Sequence, residues 1–215
     1  TDTDYTGDPA DVRATPDDAA YLLRSAGVYF PALLRGNVYW TNAGVRALVT
    51  RAGDESSISR QHRIETPIAG LVSVLGGKIT GYRAIAEDAV DAVCRLLGHP
   101  RSAQTAQAPL PGATAAAPKD ALDELYGARA EEARALAPGD NLAAQARFAA
   151  RREQCARLSD FLLRRTVLGF APDQGLSAAD RAAAILAEEL GWSAARCHEE
   201  IAAYRQWARE NASTP

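Results

Sequence analysis

Methionine is absent from this 215-residue sequence, and lysine is nearly so: 22 arginines stand beside only Lys78 and Lys119. Histidine and cysteine are almost as scarce, at three each. His62, His99 and His198 show no metal-ligand spacing and no Cys-x-x-Cys occurs, which argues against a zinc site. Cys94, Cys155 and Cys197 are few and far apart, as suits reduced thiols better than a disulfide framework. No apolar run approaches the roughly 18 residues that span a bilayer. A net charge of −3 leaves no basic surplus for nucleic acid. The opening "TDTDYTGDP" carries no start residue or signal peptide and reads as a strand end entering a turn, so we expect the C-terminal part of a longer chain.

What is present is ordinary for a globular protein: 47% hydrophobic and 24% charged residues. The pattern changes near residue 100. Before it, strands and helices alternate. Thr15-Pro16-Asp17-Asp18 predicts a helix start, with a hydroxyl cap, proline at the first helical position and acids in the first turn. "NVYWTNAGVRALV" (37–49), "RQHRIET" (60–66) and "GLVSVLG" (70–76) read as strands, with Gly44 a bulge or a close backbone approach. From Tyr82 an apolar face at helical spacing runs to Leu97, and Gly98 ends it. Residues 99–118 form a Pro- and Ala-rich linker. Beyond it about four helices follow: 120–137, one or two over 141–170, one from a capping box of Ser177 and Asp180, and one capped by Ser193. The arginines of 147–165 read as a solvated helix face because acids are interspersed.

Three cations carry the chemical signal. "SVLGGKITGYR" is a strand, two glycines, a lysine and a helix. Glycine lets backbone approach a ligand closely, and a helix N-terminus favours negative charge. Lysine is disfavoured at that end, so Lys78 reads as a cation held to meet an anion. Arg46 lies inside an apolar strand and Arg60 opens the next one. Three such cations feeding one sheet would suit a phosphate dianion. "GGKITG" does not match the phosphate loop of nucleotide-binding proteins.

"AGVRALV", "SISRQHRIE" and "SVLGGKITGYRAIAEDAVDAV", in this order and spacing, resemble the FAD-dependent, quinone-linked glycerol-3-phosphate dehydrogenases. "TDTDYTGDP", "PLPGA", "LYGARAEE" and "FLLRRTVLGF" extend the resemblance over nearly the whole chain. It implies an α+β chain: 1–98 as the C-terminal segment of a D-amino-acid-oxidase-like flavin and substrate domain with a mixed sheet, 99–118 as linker, and 119–215 as an all-α domain. It implies oxidation of sn-glycerol 3-phosphate to dihydroxyacetone phosphate by hydride transfer to FAD, with electrons passed to quinone. Arg46, Arg60 and Lys78 would line the substrate site, Gly76, Gly77, Lys78, Ile79 and Thr80 would lie along the flavin, and His62 is a candidate base. The implied setting is cytoplasmic, at the inner face of the cell membrane, with peripheral membrane contact and a homodimer as further expectations.

The chain departs from the family at Ala47, where a proline is usual, at Gly81, where Thr or Ser is usual, and in having no G-x-G-x-x-G after a strand. The last departure leads us to expect no competent enzyme from this chain alone. An oxidase using oxygen and a non-catalytic phosphate-binding module that has lost flavin remain alternatives on the sequence alone.

Overall fold

Helices carry most of the regular backbone, and one two-stranded ribbon carries the rest, among the described residues 3–46, 61–101 and 103–211 of the computed structural model. Helix α1 (Pro16–Gly27) starts as its sequence predicts. The Thr15 hydroxyl accepts from the Asp18 amide at 3.2 Å, and the Asp18 carboxylate accepts from the Thr15 amide at 2.9 Å. The opening segment forms a turn, with the Tyr5 hydroxyl donating to the Asp8 carbonyl, but residues 3–8 form no strand.

The strand expected over 37–49 does not form over its described part, 37–46. The backbone there makes one isolated β-bridge, at Trp40, and one bond to a side chain: Gln174 Nε2 donates to the Tyr39 carbonyl at 3.1 Å. The Trp40 ring packs 5.2 Å from Phe170 and 6.1 Å from Trp207. Among the described residues nothing lies within 4 Å of a Cβ placed on Gly44, so the close approach expected there is not seen. These contacts help group Thr1–Gly44 with Pro111–Pro215 in one compact unit, while Val45–Leu110 forms the other. That division is by contact and differs from the 99–118 boundary implied by the resemblance.

In the smaller unit β1 (Arg63–Glu65) pairs antiparallel with β2 (Ser73–Leu75), Ile64 opposite Val74. The mixed sheet is therefore, among the described residues, a two-stranded ribbon. Helix α2 (Tyr82–Leu96) packs back on both strands and ends at Gly98. Arg83 of α2 donates to the carbonyls of Thr105 and Ala108, which ties the start of the linker to the helix.

The larger unit holds α3 (Ala121–Tyr126), α4 (Ala130–Ala135), α5 (Asn141–Arg152), α6 (Leu158–Asp160), α7 (Leu176–Leu190) and α8 (Ala194–Asn211). The helix expected over 120–137 breaks at Gly127, whose backbone has φ +53° and lies against the linker. A Cβ there would sit 2.1 Å from the Gly112 carbonyl oxygen, which accepts from the Ala128 amide at 2.8 Å. The stretch 141–170 is likewise interrupted after Arg152, and residues Phe161–Arg165 form a π-turn closed by Thr166. Asp173, rather than Ser177, caps α7: its carboxylate accepts from the amides of Gly175 and Ser177, and the Ser177 hydroxyl first, then these amides, hold its pKa below the ordinary value. Ser193 caps α8 as expected, accepting from the Arg196 amide.

The core is built largely from alanine. Ala143, Ala146 and Ala149 of α5 and Ala179, Ala182 and Ala183 of α7 are buried in one cluster with Leu158, Phe161, Leu162 and Leu186. Small residues at helical spacing let two helices approach closely while keeping high helix propensity. Ion pairs border this seam: Arg151 to Glu189 at 2.6 Å and Arg147 to Glu188 at 3.4 Å. Arg134 joins α4 to α3 through Asp120 and Asp123, both at 2.8 Å. The Asp120 carboxyl is held below its ordinary value first by the Asp123 amide and then by Arg134. On the basic face Arg147, Arg151 and Arg152 tie α5 to neighbouring helices, while Arg151, Arg152, Arg157 and Arg164 stay exposed, as a solvated face requires. Cys155 is buried among these helices as a free thiol, and burial pushes its pKa to about 11.

Tyr126 carries a buried polar atom that the core does not satisfy. Its ring packs 4.5 Å from Phe148, and its buried hydroxyl has no hydrogen-bond partner among the described residues. An unmet buried hydroxyl costs on the order of 1–3 kcal/mol. Tyr126→Phe should therefore raise unfolding stability by about 1 kcal/mol in urea denaturation followed by helix circular dichroism; a loss of stability would show that the hydroxyl has a partner.

Candidate functional site

The candidate site is assembled by the chain leaving β2. Gly76 and Gly77 take φ of +68° and +96°, values that residues with a Cβ rarely adopt. Lys78 returns to extended backbone, Ile79–Gly81 makes one 3-10 turn, and α2 begins. The Gly81 amide donates to the Lys78 carbonyl at 2.9 Å. As at any helix start, the amides ahead of that bond, those of Ile79 and Thr80, are left without a helical acceptor.

Space explains the glycine as well as conformation. A Cβ on Gly77 would lie 2.7 Å from Ile85 Cδ1 and 3.2 Å from His62 Cβ. The bare backbone of the turn therefore rests on a residue of α2 and on the residue that leads into β1. A groove of roughly 510 Å3 results, lined by Gln61, His62, Gly77, Lys78, Thr80, Gly81, Ala84 and Ile85. His62 and Lys78 are brought to it from segments 16 residues apart in number, joined through the ribbon register Arg63 opposite Leu75.

The expected residues meet different fates. Lys78 is exposed at the groove, and no carboxylate or carbonyl among the described residues pairs with it. Ile79 is 87% exposed and presents an apolar surface next to the bare amides. Arg46 is exposed and is not among the groove residues, so its expected partial burial in a strand is not observed. Arg60 and Ala47 lie outside the described residues. His62 is half-buried and meets a residue that no motif in the sequence singles out: its Nε2 lies 2.6 Å from Asp88 Oδ2. A partial signal exists, since Asp88 follows Ile85 by three positions and so shares its helix face. By sequence alone, however, Asp88 reads as one of the acids on the solvated side of α2. His99 and His198 are exposed.

Chemically, the groove offers one cation, two backbone N–H groups at a helical start, an apolar surface and a carboxylate-bound imidazole. Such a set can hold an electron-rich edge or a phosphate and can move a proton. Among the described residues a Cβ on Gly81 would meet only Ile85 Cδ1, at 4.0 Å, which leaves the approach to the turn open to a flat ring such as that of a flavin. Among the described residues no three His, Cys, Asp or Glu side chains converge as a metal site, and no helix is long and apolar enough to cross a membrane.

Residues 103–197 match the family described as the C-terminal domain of alpha-glycerophosphate oxidase. Over 98% of its length the chain is 32% identical to a glycerol-3-phosphate dehydrogenase of Synechocystis sp., of which it covers 45%. It is 31% identical to glycerol-3-phosphate dehydrogenase 2 of Mycobacterium tuberculosis, over 95% of the chain and 41% of that protein. Over 60% of the chain it is 36% identical to a glycerol-3-phosphate dehydrogenase of Pseudomonas aeruginosa, covering 26% of that protein. The chain spans less than half the length of each of these relatives.

The close approach at Gly77 yields a graded prediction. Gly77→Ala meets both a positive φ and a 2.7 Å contact, and should destabilise the ribbon and α2 by about 2–4 kcal/mol. Gly70→Ala, at φ +83° with nothing within 4 Å, should cost only the backbone part, about 1–2 kcal/mol. Amide hydrogen exchange in α2 measures both; equal effects would remove the packing argument.

Proposed function

The chain belongs to the glycerol-3-phosphate dehydrogenase family, and from that membership and the groove we propose that it supplies part of a flavin and substrate site for oxidation of sn-glycerol 3-phosphate to dihydroxyacetone phosphate. The observation that carries this reading is the Gly76-Gly77-Lys78 turn, which sets an ammonium without a partner among the described residues, and the amides of a helix start, on the groove that also holds His62. Gly76 through Thr80 would hold the flavin of FAD by backbone contact, with Ile79 as an apolar neighbour. FAD, when bound, supplies the hydride acceptor.

The residues of the chain then divide the remaining work. Lys78 and the start of α2 place positive potential where negative charge develops on the ring, a stabilisation that operates in the transition state. Lys78 also reaches toward the phosphate-bearing end of the substrate, with Arg46 and Arg60 as further phosphate ligands. A flexible ammonium serves two neighbouring anionic groups better than a planar guanidinium, which is suited to one bidentate partner. His62 takes the proton of the C2 hydroxyl. Electrons leave for a quinone, which places the activity at a membrane surface through peripheral contact. A second reading, transfer to oxygen, is favoured by the match of residues 103–197 to a domain of alpha-glycerophosphate oxidase.

The test uses the chain joined to a dinucleotide-binding segment of a relative and supplied with FAD, sn-glycerol 3-phosphate and either a soluble quinone or dioxygen. Lys78→Ala should lower kcat/KM about 10–100-fold, the loss of one charged hydrogen bond. Unchanged turnover would remove Lys78 from the site, and phosphate binding without any flavin uptake would favour a non-catalytic module. The acceptor that sustains turnover decides between quinone and oxygen.

A further inference from the structure

The His62–Asp88 pair has the geometry of an orienting contact. Side-chain exposures of 25% and 56% make it a poor stability device, because solvent screens exposed ion pairs. Its geometry is nevertheless tight. At 2.6 Å, Nε2 and Oδ2 share a hydrogen, and a carboxylate can only accept. The hydrogen therefore belongs to Nε2, and the lone pair of the neutral ring lies at Nδ1. Among the described residues no group bonds to Nδ1.

Three contacts fix the ring's place. Gly77 lies against His62 Cβ, Ile85 supports the same glycine from α2, and Asp88, one helical turn beyond Ile85, takes Nε2. The imidazole is thus held between the Gly-Gly turn and α2, on the groove that carries Lys78 and Thr80.

We propose that Asp88 is a positioning residue: it fixes the Nε2–H tautomer of His62 and leaves Nδ1 as the proton acceptor of the groove. This rests on the reading that the groove serves alcohol oxidation. In that reaction the C2–H bond breaks and its hydrogen leaves with the electron pair as hydride for the flavin. The hydroxyl O–H bond also breaks, its electrons form the C2=O bond, and its proton goes to Nδ1. The resulting imidazolium has one N–H toward the product oxygen and the other on Asp88, whose charge offsets the one that develops.

The test reads the ring directly. In the 15N-labelled chain, long-range proton–nitrogen correlation of the neutral His62 side chain should place the hydrogen on Nε2, with a downfield, hydrogen-bonded N–H resonance. Asp88→Asn should weaken that resonance and Asp88→Ala should abolish it, with the α2 amide spectrum retained in Asp88→Asn as the check on folding. A hydrogen on Nδ1 in the wild type, or the same Nε2–H resonance in Asp88→Ala, would overturn the proposal. Titration with sn-glycerol 3-phosphate then separates the two readings. A response at Nδ1 with the Nε2 hydrogen retained supports both. No response, with the tautomer still controlled by Asp88, counts against the glycerol phosphate reading and leaves the control of the tautomer standing.

Discussion

A single close contact organises the smaller unit: the backbone of Gly77 against Ile85 of α2 and against His62. With a side chain at 77 the Ile85 Cδ1 methyl would have to turn aside and His62 Cβ would have to give by a few tenths of an ångström, on top of the strain of a positive φ. The two positive φ values and the missing Cβ are therefore one requirement seen twice, once in conformation and once in space. Packing of the turn and composition of the groove cannot be varied independently.

The economy of lysine follows from the same division. Arginine is used where the structure needs a planar fork to tie elements together, as in Arg134 with Asp120 and Asp123, Arg151 with Glu189, and Arg165 with the Glu153 carbonyl. These forks border alanine-lined helix seams that supply little side-chain area of their own. Lys78 has no such tie among the described residues. A cation without a partner among the described residues at a helix start, beside a Gly-Gly turn, is consistent with an anionic partner from outside the chain.

Local signals in the sequence were legible where local chemistry decides. The Thr15 capping box, the period of α2, the Ser193 cap and the need for Gly-Gly before Lys78 all depend on residues within a few positions of one another. Signals failed where a distant group intervened. The β-branched and aromatic stretch around Trp40 has the composition of a strand, yet Gln174 takes a backbone carbonyl and Phe170 and Trp207 take the ring. The segment after residue 120 has the pattern of a continuous helix, yet Gly127 breaks it to meet Gly112 across the linker. Asp88 resembles one more acid on a wet helix face, and only the fold shows it under His62. Of the candidate site, the turn was readable from its own residues; the histidine's partner was not, because it depends on how α2 folds back.

The most direct measurement is a nuclear Overhauser experiment on protein with 13C-labelled isoleucine methyl groups. A strong cross-peak is predicted between the Ile85 Cδ1 methyl and the Gly77 α-protons, since a Cβ on that glycine would fall 2.7 Å from this carbon. An assigned Ile85 methyl with no cross-peak to Gly77 would contradict the close approach on which the groove, the lysine and the histidine depend.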